Sequence, residues 1–323
     1  MKEAARSSSA ERIFEVADLD HLQFYGRHDQ NLTALETLLP VVVRVDGDRL
    51  HVSGESEAVT RAGHVIDQML AAVRRGTQLT PDDVRLAAKA TQDDRAATIP
   101  STLFTTPRGK EIRPKSEGQR AFVASIEARG LTIGTGPAGT GKTFLAVVMA
   151  VRALRHREVA RVILTRPAVE AGEKLGFLPG DVKEKVDPYL RPLYDALGEL
   201  LDDQVVGRYL ERGIIEVAPL AYMRGRTLAD AFIILDEAQN ATREQLKMFL
   251  TRLGSGSRMV VTGDPTQIDL PAGARSGLLD AHRLFDEVEE IGIIELGTAD
   301  VVRPSLVGKI IEAYARLSQE HHP

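Results

Sequence analysis

A short glycine-rich stretch places the strongest constraint on how this chain can fold. Residues 136–143 satisfy the pattern G-x-x-x-x-G-K-[ST], between an apolar run typical of a strand and one typical of a helix. That setting is the one in which backbone N–H groups surround phosphate oxygens at the positive end of a helix. Lys142 is expected to reach the β- and γ-phosphates, and the Thr143 hydroxyl to bind Mg²⁺. The expected nucleotide-binding residues are Gly136, Pro137, Ala138, Gly139, Thr140, Gly141, Lys142 and Thr143.

A second apolar run ends in two adjacent carboxylates. Residues 232–235 are typical of a buried strand, and Asp236 and Glu237 follow directly. Parallel strands end at one edge of a sheet, so these acids should lie beside the phosphate loop. We expect Asp236 to hold Mg²⁺ through water and Glu237 to polarise the attacking water. An acid in that second position favours hydrolysis over transfer to a substrate hydroxyl.

Polar residues also follow a third strand pattern and precede the phosphate loop. Asp264 and Gln267, which come after the run at 258–263, could orient the water or sense the γ-phosphate. Gln119 lies upstream of the loop, and its amide offers both a donor and an acceptor. We interpret Gln119 as a reader of the adenine edge, with a solvated helix residue as the alternative.

The alternation of strand and helix patterns from about residue 117 to 318 predicts an α/β fold with a parallel sheet, a P-loop NTPase core. Strand patterns start at Leu131, Arg161, Ile214, Ala231, Arg258 and Gly292. No apolar stretch reaches the ~20 residues of a membrane span, and no export signal is read at the start of the chain. A cytoplasmic location, with no membrane partner, is the expectation.

The chain is expected to have two domains. Residues 1–12 are interpreted as a flexible tail, 13–76 as a small α+β domain, 77–111 as a linker and 112–323 as the nucleotide-binding domain. The pattern over 13–76 predicts a strand, a helix over 20–39, a hairpin and a second helix, an order that resembles a KH domain. In that family a GxxG loop clamps a single strand. Here Asp29 stands at the last glycine position, which leaves RNA contact and a docking role both open.

Charge indicates that any nucleic-acid site is a local patch. The 323 residues carry 41 Lys and Arg against 46 Asp and Glu, a net charge of −5, so the protein is not a globally basic coat. Arg166 ends a strand pattern at the expected active edge, and Arg224 and Arg226 flank Gly225 after Tyr222. Aromatic and cationic side chains together favour RNA contact, although ion pairing of these arginines is equally open.

The motifs in their order resemble one family. GPAGTGKT, TRPAVEAGEKLGFLPGD, YMRGRTL, FIILDEAQN, VVTGDPTQIDLP and DVVRPSLV look like the PhoH family of cytoplasmic P-loop ATPases, in its PhoH-like or YbeZ branch. The resemblance covers about residue 112 to the end, and its core is similar to the first RecA-like domain of superfamily-one RNA helicases. The family's usual DVVRH is DVVRP here, with Pro304 in place of His. Arg303 is kept and is interpreted as an arginine finger, or alternatively as a structural partner of Asp300.

These observations predict a Mg²⁺-dependent ATPase, with ATP and Mg²⁺ as cofactors. The resemblance implies coupling to RNA, as a helicase or a ribosome or RNA maturation factor, with a YbeY-type endoribonuclease as partner. The chain is long enough for one RecA-like domain only, so a homo-oligomer is expected, a hexamer being one form, with Arg303 acting in cis or in trans. The alternative is a phosphate-starvation-associated ATP-binding switch that acts on a protein partner and has no nucleic-acid substrate.

Overall fold

A computed structural model describes residues 9–92, 99–167, 182–271 and 273–302, together with residue 310. The chain divides into two compact units, Met1–Thr102 and Leu103–Pro323. The division falls inside the segment 77–111 that the sequence suggested as a linker. None of the helices in the described ranges combines the length and apolar character that a membrane span needs.

Unit 1 is built on a three-stranded antiparallel sheet. Strands β1 (Ser9–Glu15), β2 (Val41–Asp46) and β3 (Arg49–Glu55) lie in the order β1-β3-β2. The helices are α1 (His21–Tyr25), α2 (Gln30–Leu38), α3 (Ser56–Arg74) and α4 (Pro81–Gln92). Alternate residues of β3 such as Leu50 and Val52 are buried with the apolar side of α3, because successive strand residues point to opposite faces.

Three local expectations for this unit differ from the structure. The helix expected over 20–39 is broken after Tyr25, because Gly26, His28 and Asp29 have φ of 75°, 51° and 54° and cannot continue a right-handed helix. The expected tail already contains β1 from Ser9 onward. Part of the expected linker is folded as well, since α4 buries Val84 in the core of unit 1.

Unit 2 contains a six-stranded, fully parallel sheet, which confirms the predicted α/β fold. Its strands are β6 (Leu131–Thr135), β7 (Arg161–Arg166), β8 (Ile215–Pro219), β9 (Ala231–Leu235), β10 (Arg258–Gly263) and β11 (Ile291–Glu295), in the order β11-β6-β10-β9-β7-β8. A short hairpin of β4 (Phe104–Thr105) and β5 (Glu111–Ile112) precedes it.

Helices cover both faces of this sheet. They are α5 (Glu117–Ala128), α6 (Lys142–Arg155), α7 (Val182–Leu200), α8 (Asp203–Glu211), α9 (Arg243–Leu250) and α10 (Ala281–Phe285). Phe232 and Ile234 pack in the core formed with α5, α6 and α7, whereas Ile233 and Leu235 pack with α9. Burial on both faces explains why β9 reads as a continuous apolar run.

Candidate active site

The phosphate loop leaves β6 after Thr135 and enters α6 at Lys142. Gly136, with φ of 141°, lies so close to the Leu296 carbonyl that an added Cβ would be 2.2 Å from its oxygen. Gly139 and Gly141 also have positive φ, of 89° and 80°. The motif therefore requires glycines, because of the positive φ values and because the Leu296 carbonyl, directly after β11, comes so close.

Lys142 is folded into the loop that it follows. Its Nζ donates to the carbonyls of Gly136 and Pro137 at 2.6 and 2.9 Å and to the Thr140 hydroxyl at 3.2 Å. Burial lowers the pKa of Lys142, and the negative charges of Asp264, Asp236 and Glu237 oppose that shift. The ammonium group is thus held at the loop and surrounded by acids.

Asp236 is fixed by two hydroxyl groups. Thr143 Oγ1 donates to Asp236 Oδ1 at 2.6 Å, and Thr262 Oγ1 donates to the same oxygen at 2.7 Å. The side chain is almost fully buried. Thr143, in the first turn of α6, and Asp236, directly after β9, bring a hydroxyl and a carboxylate together, and oxygen is the donor atom that Mg²⁺ prefers. The described residues contain no group of three or more His, Cys, Asp or Glu side chains suited to a metal.

Glu237 follows β9 in a left-handed backbone conformation, with φ of 53°. One carboxylate oxygen, Oε1, lies 3.5 Å from Arg166 Nη2, and the other accepts a hydrogen bond from the Gln239 amide. Arg166 is the last residue of β7, the strand beside β9. The structure thus brings Arg166 to the candidate base.

Gln239 joins the two acidic loops. Its side chain is completely buried, and its Oε1 accepts from the Asp264 amide at 3.0 Å. Its Nε2 donates to Glu237 and, at 3.1 Å, to the Gln267 carbonyl. Sequence reasoning assigned no role to this residue. The signal that the sequence offered was its place in FIILDEAQN, three positions after the Asp that follows the strand.

The Asp264 carboxylate accepts hydrogen bonds from several donors. The Ala138 amide of the phosphate loop donates to its Oδ2 at 3.1 Å, as does Gln267 Nε2 at 3.0 Å. Burial tends to raise the pKa of Asp264, but the hydroxyl and amide of Thr266, together with the nearby Lys142 charge, outweigh burial and lower it. Asp264 therefore connects the third loop to the phosphate loop as an ionised group.

Three of the four predicted catalytic residues, Lys142, Glu237 and Gln267, line one cavity. Its volume is about 270 Å³, and it lies at the carboxyl edge of the sheet, lined among others by Lys142, Thr143, Asp236, Glu237, Asp264 and Gln267. This edge is where parallel sheets bind ligands.

Gln119 is placed against the phosphate loop. Its Nε2 donates to the Thr140 carbonyl at 2.9 Å, and its Oε1 accepts from the Lys115 amide at 2.7 Å. Only 4% of the residue is exposed, so it is not the solvated helix residue of the alternative interpretation. Gln119 is not among the residues that line the cavity.

Asp300, which the sequence suggested only as a partner of Arg303, holds the first turn of α5 by a hydrogen bond. Asp300 accepts from the amides of Gly118 and Gly297, at 2.9 and 2.7 Å. Two residues later the Val302 amide donates to the Gly139 carbonyl at 3.0 Å. The segment that precedes Arg303 thereby supports both the phosphate loop and the helix that carries Gln119. Arg303 itself lies outside the described residues.

The three predicted RNA-contacting arginines have different surroundings. Arg226 forms a bidentate pair with Glu216, at 2.6 and 2.7 Å, and Arg166 contacts Glu237. The Arg226 hydrogen bond lowers the pKa of Glu216. Arg224 is exposed and has no ion-pair partner among the residues that the structure describes, and the neighbouring Tyr222 is 55% exposed.

A phosphate loop, a buried Asp beside its Thr and a parallel sheet define this protein as a P-loop nucleotide-binding protein. The chain belongs to the PhoH-like protein family, whose model matches residues 111–315. The PhoH-like protein of Mycobacterium tuberculosis (strain ATCC 25618 / H37Rv) is 52% identical over 297 residues, covering 91% of this chain and 84% of the relative. The PhoH-like protein of Bacillus subtilis (strain 168) is 51% identical over 297 residues, covering 91% and 93%.

Other similarities are more partial. Protein PhoH of Escherichia coli (strain K12) is 48% identical over 206 residues, 63% of this chain and 58% of that protein. The Pyrococcus furiosus Hef helicase domain matches with a TM-score of 0.34 and 14% identity, covering 56% of this chain and 38% of the other. A structural likeness this weak supports no functional conclusion.

Proposed function

We propose that the protein is a Mg²⁺-dependent ATPase whose turnover is coupled to RNA. The observation that carries the proposal is the 2.6 Å contact between the Thr143 hydroxyl and Asp236, directly before Glu237 and beside the phosphate loop. Through this contact the phosphate loop, the candidate Mg²⁺ ligands and the Glu237 carboxylate share one cavity. Phosphoryl transfer needs these parts, since catalysis depends on positioning and charge neutralisation.

Each residue has a defined part in hydrolysis. The loop amides and Lys142 hold the phosphates; Thr143 and, through water, Asp236 would hold Mg²⁺, which would neutralise charge on the phosphate oxygens. Glu237 orients a water molecule and takes its proton as the water oxygen attacks the γ-phosphorus. The bond to the bridging oxygen breaks, and ADP leaves with the electron pair. Asp264 and Gln267 contact the γ-phosphate side of the cavity, and Arg303 acts as the arginine finger.

RNA is proposed as the coupled ligand because an exposed aromatic and cationic pair follows β8 at the active edge of the sheet. Tyr222 and Arg224 extend from the turn after Pro219, and β8 is the neighbour of the strand that ends in Arg166. Aromatic stacking and arginine contacts suit single strands without sequence preference. A homo-oligomer, RNA contact by the KH-like unit and a YbeY-type endoribonuclease as partner belong to the same proposal.

The test is steady-state ATP hydrolysis by the full chain with and without single-stranded RNA, at low and moderate salt. Lys142→Ala provides the blank, and Glu237→Gln is expected to bind ATP while losing about 10²-fold or more in turnover. Stimulation that weakens with salt supports RNA coupling. Turnover that is indifferent to RNA would refute that coupling and favour a switch that acts on a protein partner. Normal turnover by Glu237→Gln would remove Glu237 from the role of base.

A further inference from the structure

Two of the arginines predicted to contact RNA are held very differently. Arg226 grips Glu216 through two hydrogen bonds of 2.6 and 2.7 Å. Arg166 approaches Glu237 by a single separation of 3.5 Å, with 22% of its side chain exposed. Charge-assisted hydrogen bonds are about 2.7–2.9 Å long. Arg226 therefore has the geometry of a structural ion pair, whereas Arg166 makes a contact that another anion can replace.

Both oxygens of Glu237 are engaged in this arrangement. Gln239 donates to Oε2, and the Arg166 guanidinium lies 3.5 Å from Oε1. Glu237 lines the cavity with 31% of its side chain exposed, so water reaches it, and the two contacts set where its carboxylate oxygens point. Gln239 is completely buried and is itself fixed by the Asp264 amide, so it cannot move away easily. Of these two contacts, the one that can open is that of Arg166.

The place of Arg166 in the sheet indicates what could draw it away. It ends β7, with Glu237 after the strand on one side and the exposed Tyr222 and Arg224 segment after the strand on the other. A nucleic-acid backbone held at Tyr222 and Arg224 would bring phosphate to the neighbouring strand end. Arginine binds phosphate in the same planar, bidentate manner as carboxylate.

We infer that Arg166 is a positioning residue that couples RNA to hydrolysis. In the free protein it restrains Glu237; a phosphodiester of single-stranded RNA takes over the guanidinium and frees Glu237 to orient water. This inference rests on the proposed RNA-coupled ATPase and specifies how the coupling is made. The guanidinium exchanges one anionic partner for another, and no covalent bond of the RNA changes.

The test compares Arg166→Gln, Arg166→Lys and the control Arg161→Gln. Arg161 begins the same strand at the opposite edge of the sheet, so the control removes the same charge away from the site. Turnover number and KM for ATP are measured with and without single-stranded oligouridylate. An ion pair between partly exposed side chains contributes little free energy, so the rise in basal turnover on Arg166→Gln should be small, about threefold. This variant should leave the KM for ATP unchanged and lose most of the stimulation by RNA. Arg166→Lys should retain part of the restraint and part of the stimulation, and Arg161→Gln should match wild type.

An independent measurement is the salt dependence of oligouridylate binding. Loss of one phosphate contact in Arg166→Gln should reduce the slope of log K against log salt by about 0.7. Lower basal turnover in Arg166→Gln would overturn this inference but not the proposed RNA-coupled ATPase. The same holds if Arg166→Gln keeps the RNA stimulation and the salt slope of wild type. Wild-type turnover that ignores RNA would refute the proposed coupling, and this inference with it.

Discussion

Gln239 offers the sharpest test of how the two acidic loops are held together. Gln239→Leu removes its hydrogen bonds to Asp264, Glu237 and Gln267 while changing side-chain volume little. The Asp264 amide would be left buried without its partner, at about 1–3 kcal/mol, and the other two bonds add about 0.5–1.5 kcal/mol each. Burial of the leucine returns about 1–2 kcal/mol. We therefore expect unit 2 to lose about 2 kcal/mol of unfolding free energy.

The measurement is urea unfolding followed by far-UV circular dichroism. Two units can give two transitions, and the one that ATP shifts to higher urea is that of the nucleotide-binding unit. Gln204→Leu, at an exposed position of α8, is the matched control and should change stability by less than about 0.5 kcal/mol. Turnover of Gln239→Leu should fall about tenfold or more, because Glu237 loses its fixed partner. A stability loss no larger than that of the control would refute the reasoning.

Three further predictions concern single contacts. Thr143→Val should raise the Mg²⁺ concentration for half-maximal turnover about tenfold, through loss of one ligand oxygen worth about 1.4 kcal/mol; an unchanged Mg²⁺ titration would contradict the metal site. Gly118→Ala should destabilise unit 2 by about 1–2 kcal/mol in the same urea assay, since the new Cβ would lie 2.4 Å from Asp300 Oδ2; wild-type stability would show that the loop yields freely. Arg226 lowers the pKa of Glu216 from its ordinary 4.5, so the pair stabilises the fold above that pH and the contribution is lost as pH falls through the lowered pKa. Glu216→Gln should therefore cost up to about 1 kcal/mol at pH 7 and nothing in acid, and equal losses at both pH values would exclude the ion pair as the cause.

Apolar runs in the sequence were enough to predict the parallel sheet of unit 2. Each of the six strands of its parallel sheet appears where an apolar run predicted it, and the signal is most continuous in β6 and β9, whose residues are all buried. The phosphate loop was equally readable, since positive φ at Gly139 and Gly141 and the close approach at Gly136 require glycine. The helix predicted over 20–39 was wrong at Gly26, because the apolar residues that suggested it begin at Leu32 and residues 26–31 carry no apolar side chain.

The sequence by itself determined the class of chemistry: the phosphate loop, the two acids after β9 and the polar residues after β10, all of which folding brings to one edge of a parallel sheet. Only the tertiary structure decided the partners of those groups. Arg166 meets Glu237, Arg226 meets Glu216, and Gln239 ties two loops together across 25 residues of chain, from Gln239 to Asp264. Motifs depend on local backbone conformation and are therefore visible in short windows of sequence. Side-chain pairing depends on which strands become neighbours and how deeply each group is buried, and that is fixed only when the sheet is assembled.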